Sequence, residues 1–231
     1  MIILFSPAKS FRDTKPLNEM PIYTKETVQL VEELSSWNDQ TIQKRFKVSD
    51  ALVSEIKAYY QNFHHNDAYV AIDLYYGESY KKLDSTTLNP KARTFLQNHV
   101  WIIDAFYGLI RPLDPIKPYR LDFTISGLNL NALWHTLYEN QFKGEHEPIL
   151  SLASDEFTVK IKPYVPVYEV HFIDCKNGVC KAISVFNKQH RGALLRHIAL
   201  NQVKHIKDLP KDFNGYQLIQ NGFDLTYQRT L

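Results

Sequence analysis

The charge pattern of this chain is lopsided in one place. Between Asp174 and Asp208 there is no acidic residue, yet the stretch holds Lys176, Lys181, Lys188, Arg191, Arg196, Lys204 and Lys207, with His190, His197 and His205 among them. The formal net charge of the whole chain is only +2, so the remainder is nearly balanced. A one-signed segment repels itself unless something anionic faces it, and extended polyanions such as nucleic acid are the commonest partners. The competing reading is a solvated basic helix met by acids from elsewhere in the fold.

A second group of cations sits on Arg111-Pro112-Leu113-Asp114-Pro115-Ile116-Lys117-Pro118-Tyr119-Arg120. Three prolines make this a stiff, extended loop that can continue neither a helix nor a central strand. It would hold Arg111, Lys117 and Arg120 at fixed separations, and rigid guanidinium groups suit bidentate phosphate binding. The competing reading is a structural corner in which Arg111 pairs with Asp114 and Arg120 with Asp122. Lys9 follows the first predicted strand within Ser6-Pro7-Ala8-Lys9, a usual place for a ligand residue. It lacks the Gly-rich loop and G-K-[ST] context of a nucleotide P-loop.

No recognisable catalytic set is present: G-x-S-x-G, H-E-x-x-H and C-x-x-C are all missing. Asp73, Glu78, Asp104 and Glu156 fall near predicted strand ends, where carboxylates can form an acid–base or Mg²⁺ pair but more often serve as caps and ion-pair partners. His64-His65-x-Asp67 and Glu145-His146-Glu147 have the spacing of surface clusters rather than ligand sets. No metal and no cofactor is expected. Cys175 and Cys180 flank Asn177-Gly178, a strong two-residue hairpin signal. In that register Lys176 pairs with Val179, and the two cysteines face each other at the next rung, where a cross-strand disulfide is possible. They are a candidate redox pair, set against two unreactive half-buried thiols in a reducing compartment.

The elements that must position these groups are partly legible. Ile2–Phe5 reads as a short buried strand. Thr24 can cap a helix through Val28, Val31 and Leu34. Asn38 or Asp39 can cap a second helix, Thr41–Phe46, and Ser49 or Asp50 a third through Val53, Ile56, Tyr60 and Phe63. With Lys44, Arg45 and Lys47 at the junction, residues 38–63 are a candidate helix-hairpin-helix phosphate clip, although the turn lacks the glycines such clips use. Ala68–Tyr75, Val100–Ile103 and Pro148–Ala153 read as strands, with Ser154 placed to cap a following helix. Val165–Cys175 and Val179–Phe186 form the first hairpin, and Tyr216–Ile219 with Phe223–Tyr227 a second around Asn221-Gly222. From His190 a helix is expected, with Leu194, Leu195 and Ile198 on one face and Arg196, His197, Lys204 and Lys207 roughly opposite. Strands and helices without regular βαβ alternation predict an α+β fold with a mixed sheet.

At 231 residues and 44% hydrophobic, with no linker, repeat or low-complexity tract, residues 1–231 read as one domain. Met1–Phe5 is too short and lacks the basic flank of a signal peptide, and no apolar run approaches membrane-spanning length. A cytoplasmic protein without a membrane partner is expected.

Taken together, these segments resemble the YaaA family of bacterial peroxide-stress proteins. The resemblance covers essentially the whole chain. It is carried by Ser6-Pro7-Ala8-Lys9, by Tyr107-Gly108-Leu109-Ile110-Arg111-Pro112-Leu113-Asp114 continuing to Pro118-Tyr119-Arg120-Leu121, by Leu152-Ala153-Ser154-Asp155-Glu156-Phe157, and by Lys188-Gln189-His190-Arg191-Gly192 with Arg196. It implies a family-specific α+β fold with a positively charged cleft and a helix-hairpin-helix element. It also implies sequence-tolerant binding of double-stranded DNA and a role in surviving hydrogen peroxide, linked to DNA repair and to restraining free iron. The matched cations are Lys9, Arg111, Arg120, Lys188, Arg191 and Arg196; no catalytic residue is carried over. The chain departs at Tyr75-Tyr76-Gly77-Glu78, where the family has Phe-Lys-Gly-Asp, and looks short between Leu121 and Asn131. Cys175 and Cys180 lie outside the family pattern.

The leading expectation is therefore a non-enzymatic DNA-binding protein of the peroxide response. Arg111, Arg120, Lys188 and Arg191 are expected to converge on one cleft and, with Arg196, to neutralise backbone phosphates. The rival is an enzyme acting on a phosphorylated or nucleotide-like small molecule, with Arg111, Arg120 and Lys9 as anion clamps and Glu156 or Asp104 as general base. An open groove would favour DNA, and a deep, narrow pocket the small molecule.

Overall fold

A computed structural model describes residues 1–18, 21 and 23–231. In chain order its elements are β1 (Ile2–Phe5), α1 (Lys25–Ser36), α2 (Asp39–Phe46), α3 (Asp50–Gln61), β2 (Tyr69–Val70), α4 (Ala71–Leu74), α5 (Glu78–Leu83) and α6 (Pro90–His99). There follow β3 (Val100–Asp104), β4 (Gly108–Ile110), β5 (Pro115–Ile116), α7 (Leu130–Phe142), β6 (Ile149–Ser151) and α8 (Asp155–Thr158). The last third holds β7 (Val167–Lys176), β8 (Val179–Lys181), α9 (Ser184–Asn201), β9 (Asp212–Phe213), β10 (Tyr216–Asn221) and β11 (Asp224–Thr230).

Helix starts follow local chemistry. Thr24 accepts a hydrogen bond from Thr27 N at 3.2 Å, and Asn38 one from Thr41 N at 2.9 Å, each satisfying an amide that the first turn leaves unpaired. The main sheet runs β4-β3-β1-β6-β7-β11-β10-β9, with β8 added beside β7. Its five central strands, β3, β1, β6, β7 and β11, are all parallel. Antiparallel β4, β8, β10 and β9 complete a mixed sheet in a single α+β domain. Ile3, Leu4 and Phe5 are buried in succession, the pattern of a strand covered on both faces. Ile3 stands beside Val100 on one side and Leu150 on the other.

Several expectations change. Of the predicted strand Ala68–Tyr75 only Tyr69–Val70 forms a strand, with Ala68 and Tyr75 making isolated bridges to Leu17 and Phe11. Its partner β5 begins at Pro115, which has no N–H for the ladder, and Ala71 and Ile72 instead donate to Asp114 O and Pro112 O as α4 begins. The helix predicted from His190 begins earlier, at Ser184, and ends at Asn201, so Lys204 and Lys207 lie beyond it and Val179–Phe186 is strand only to Lys181. In α1 the buried face is Thr27, Leu30, Val31 and Leu34, leaving Val28 exposed. In the C-terminal hairpin Asn221 pairs with Asp224, so the turn residues are Gly222 and Phe223. Among the described residues no helix is long and apolar enough to cross a membrane.

The first hairpin has the predicted register. Cys175 pairs with Cys180 and Lys176 with Val179, around Asn177 at φ 50° and Gly178 at φ 77°. The cysteines are joined as a cross-strand disulfide with their Cα atoms 3.9 Å apart.

Candidate functional site

A pocket of about 260 Å³ opens at the carboxyl ends of three adjacent parallel strands, β3, β1 and β6. The chain runs from β1 to β3 on one side and later to β6 on the other, so the crevice lies where strand order reverses. Open α/β sheets bind ligands at that place. Ser6–Lys9 leaves β1, Ala105 follows β3, and Leu152 and Ser154 follow β6; each contributes to the wall. Leu152 N donates to Leu4 O at 2.9 Å and Ser154 N to Ser6 Oγ at 2.9 Å, which ties the β1 and β6 exits together. Tyr80 closes another side, its hydroxyl donating to Ser6 O at 2.8 Å and its ring packed edge-on to Phe5.

The opposite wall comes from α9. Gly192 lets this helix press onto the start of α5: a Cβ built there would fall 1.9 Å from Ser79 O. The contact sets Lys188 and Arg191, the preceding turn of α9, into the pocket lining. Arg191 is only 7% exposed. Its Nε donates to Val170 O at 3.0 Å, while Nη2 lies 4.0 Å from Asp155 Oδ1, a carboxylate whose side chain is 83% exposed. Burial lowers the guanidinium pKa, the mark of a cation with incomplete compensation.

The lining is of mixed sign. Lys9, Lys188 and Arg191 share it with Glu78, Asp122 and Glu156, so the expected positively charged cleft does not describe the pocket itself. Lys9 pairs with Asp122 at 2.7 Å; burial would raise that carboxyl, but Lys9 and Thr124 outweigh it and hold the pKa below the ordinary value. Glu78 is held low by Gln189 at 2.6 Å and Lys81 at 2.7 Å. Glu156 Oε1 lies 3.5 Å from Ser154 Oγ, with no ion pair among the described residues.

The predicted site residues divide. Lys9, Lys188 and Arg191 meet in the pocket, and Arg120 lies beside them, its Nη1 donating to Lys9 O at 3.3 Å. Arg111 does not converge with them. Its guanidinium carbon lies 3.3 Å from the centre of the Trp101 ring and its Nη1 donates to Val100 O at 3.1 Å, at the start of β3 and roughly 16 Å of strand from the pocket end. The corner reading holds for Arg111 with a different bond, from its own backbone N to Asp114 Oδ2 at 2.7 Å. Asp122 takes Lys9 in place of the expected Arg120. Arg196 is bound to Leu83 O and Asp84 O, each at 2.9 Å, capping the last turn of α5. Lys117 is fully buried, with its ammonium on Phe63 O and His64 O.

The carboxylates predicted near strand ends separate as well. Asp73 forms a bidentate pair with Arg93, and Asp104 is sealed beneath the pocket wall, leaving Glu78 and Glu156 in the lining. Asp104 accepts from Phe106 N at 2.7 Å, Tyr107 N at 2.8 Å, Tyr75 Oη at 2.9 Å and the Tyr119 hydroxyl. Burial raises its pKa against these donors. Helices α2 and α3 form a hairpin whose turn has Lys47 in the left-handed region at φ 53°. Arg45 lies over Trp37 at 4.2 Å, and Lys44 and Arg45 border a shallow depression with Ser126 and Gly127. Tyr80 completes the pocket without having been singled out, and Leu121 and Phe157, which end two of the matched motifs, had no role assigned to them; nothing in a lone aromatic or leucine marks it as a wall.

The fold and site define an α+β protein with a ligand-sized crevice at a sheet switch point. The family model described as peroxide stress protein YaaA matches residues 1–221, and the chain belongs to that family. It is 33% identical over 232 residues to a UPF0246 protein of Crocosphaera subtropica, covering 93% of this chain and 92% of the relative. UPF0246 proteins of Francisella tularensis subsp. mediasiatica and subsp. novicida are each 32% identical, with 94% of both chains covered.

Proposed function

We propose that this protein serves the peroxide-stress response by binding double-stranded DNA through backbone phosphates with little sequence preference, which would help protect DNA and limit free iron. Family membership supports the oxidative-stress role. The observation that carries the DNA reading is the state of the acid-free segment. Lys176, Lys181, Lys188, Lys204 and Lys207 have no carboxylate within 4 Å among the described residues, whereas Arg191 and Arg196 are tied to backbone carbonyls. Five solvated lysines within one stretch fit counterion release from a polyanion. The pocket is too small for a duplex, so DNA would lie across its mouth and meet Lys188 and Arg120, with Lys44, Arg45 and Lys47 of the helical hairpin as further phosphate contacts.

The test is the slope of log affinity against log salt for a random-sequence duplex. Lys188→Ala should weaken binding similarly across sequences and flatten the slope by roughly 1. Arg196→Ala should act mainly on stability. Full affinity and an unchanged slope in a Lys176→Ala/Lys181→Ala/Lys188→Ala triple variant would remove the DNA reading.

A further inference from the structure

We infer that the switch-point pocket is a seat for one nucleoside monophosphate unit, with its phosphoryl group against Arg191 and Lys188. Arg191 is the starting point. Its guanidinium is more than nine-tenths buried on the wall of the pocket, yet the Nη groups make no hydrogen bond among the described residues and the carboxylate they pair with, the exposed Asp155, lies 4.0 Å away. A phosphoryl group there would take the planar fork in the bidentate way carboxylates and phosphates do. Lys188, one helical turn earlier and unpaired, supplies a second cation on the same wall.

The rest of the lining argues for what hangs on the phosphate. A pocket built for inorganic phosphate would be small and polar throughout, but this one is walled by Ala8, Tyr80, Leu121, Leu152 and Phe157. These are flat or aliphatic surfaces suited to a base. Glu156, with no ion-pair partner among the described residues, is an acceptor for sugar hydroxyl or base amino groups, a role for a carboxylate that would be unfavourable beside a simple anion. At about 260 Å³ the space lies just under the roughly 300–1,000 Å³ of drug-sized ligand sites, so it suits one such unit. The unit can be free or can sit at the 5′ end of a DNA strand. The seat shares Lys188 with the proposed duplex contact, whereas Arg191 belongs to the seat alone.

The test is calorimetric titration of the full chain with adenosine 5′-monophosphate and thymidine 5′-monophosphate, with adenosine, thymidine and inorganic phosphate as controls. At least one monophosphate should bind saturably at one per chain, and its nucleoside and inorganic phosphate each at least about tenfold more weakly, since the nucleoside lacks the charge-assisted hydrogen bonds and inorganic phosphate lacks the apolar contacts of the base. Lys188→Ala, at a residue exposed enough to leave folding intact, should raise the Kd about tenfold with an unchanged melting temperature. Arg191→Lys should also raise the Kd about tenfold, by removing the fork while keeping the charge, and should lower the melting temperature as well because the Nε bond to Val170 O is lost. Comparison of 5′-phosphorylated with 5′-hydroxyl oligothymidylate assigns the source. A phosphorylated strand that binds tighter than both the hydroxyl strand and free thymidine monophosphate places the unit at a strand end, and equal binding of the two strands or tighter binding of the free monophosphate makes it a free nucleotide. No saturable binding of either monophosphate at millimolar concentration, or equal affinity for the nucleosides, would overturn the seat, and would do so even if duplex DNA bound normally.

Discussion

Replacing Gly192 with alanine probes the joint that places the α9 cations at the pocket. The added Cβ would lie 1.9 Å from Ser79 O, 2.6 Å from its carbonyl carbon and 2.8 Å from its Cα, all backbone atoms. Ordinary van der Waals contact begins near 3.4 Å, so α9 and α5 must part by roughly 1.5 Å, with no side chain free to rotate out of the way. Alanine would regain about 1 kcal/mol of helix propensity in mid-helix. Overpacking a closed contact costs about 1–3 kcal/mol and occasionally more, and rigid backbone on both sides puts this case at the upper end. A net loss of about 2 kcal/mol is expected, lowering Tm by roughly 4–8 °C in a chain of this size. The same movement would stretch the 2.6 Å bond between Gln189 and Glu78 and carry Lys188 and Arg191 out of register with the strand exits. Thermal and urea melts followed by circular dichroism measure the loss. Gly144→Ala serves as a comparison: no atom lies within 4 Å of its Cβ position, and only its φ of +81° opposes the change. It should lose about 1–2 kcal/mol by strain alone, without altering the site. A Gly192→Ala protein that melts at or above the wild-type temperature would refute the close approach of the two helices.

Further outcomes follow from the buried Asp104 and from the hairpin disulfide. Asp104→Ala would leave two backbone amides and two tyrosine hydroxyls without their acceptor and should cost about 3–5 kcal/mol by urea unfolding. Asp104→Asn keeps the oxygen for the amides and lets the hydroxyls accept from its NH₂, so it should cost clearly less; equal losses would contradict the four-donor arrangement. For the hairpin, non-reducing peptide mapping after peroxide treatment should recover Cys175 linked to Cys180, and two free thiols would remove the redox idea. Because the cross-link closes a very short loop, Cys175→Ser/Cys180→Ser should lose about 2 kcal/mol or less. The hairpin should persist in that variant, since β7 is also held by β6 and β11 and the Asn177-Gly178 turn keeps β8 in register with it.

Much of the local structure is written in short stretches of the chain. The cap oxygens of Thr24 and Asn38, the apolar run Ile3–Phe5 and the Asn177-Gly178 turn act within a few residues, and each placed its element. The turn also fixed the facing of Cys175 and Cys180, because a two-residue loop admits a single pairing. The family likewise could be read from ordered motifs. What the sequence could not settle was which cations are free. Arg111, Arg196 and Lys188 are all cations in matched motifs, yet the first lies over Trp101, the second closes α5 and the third opens to the pocket. Those fates depend on partners far along the chain: Arg196 is held by residues more than a hundred positions earlier, and the pocket gathers segments between Ser6 and Arg191. The parallel order β3-β1-β6-β7-β11 is equally silent in sequence, since a buried strand carries no mark of its neighbours. Local hydrogen bonding and backbone preference set the elements. Long-range pairing and the burial of charge decided the site.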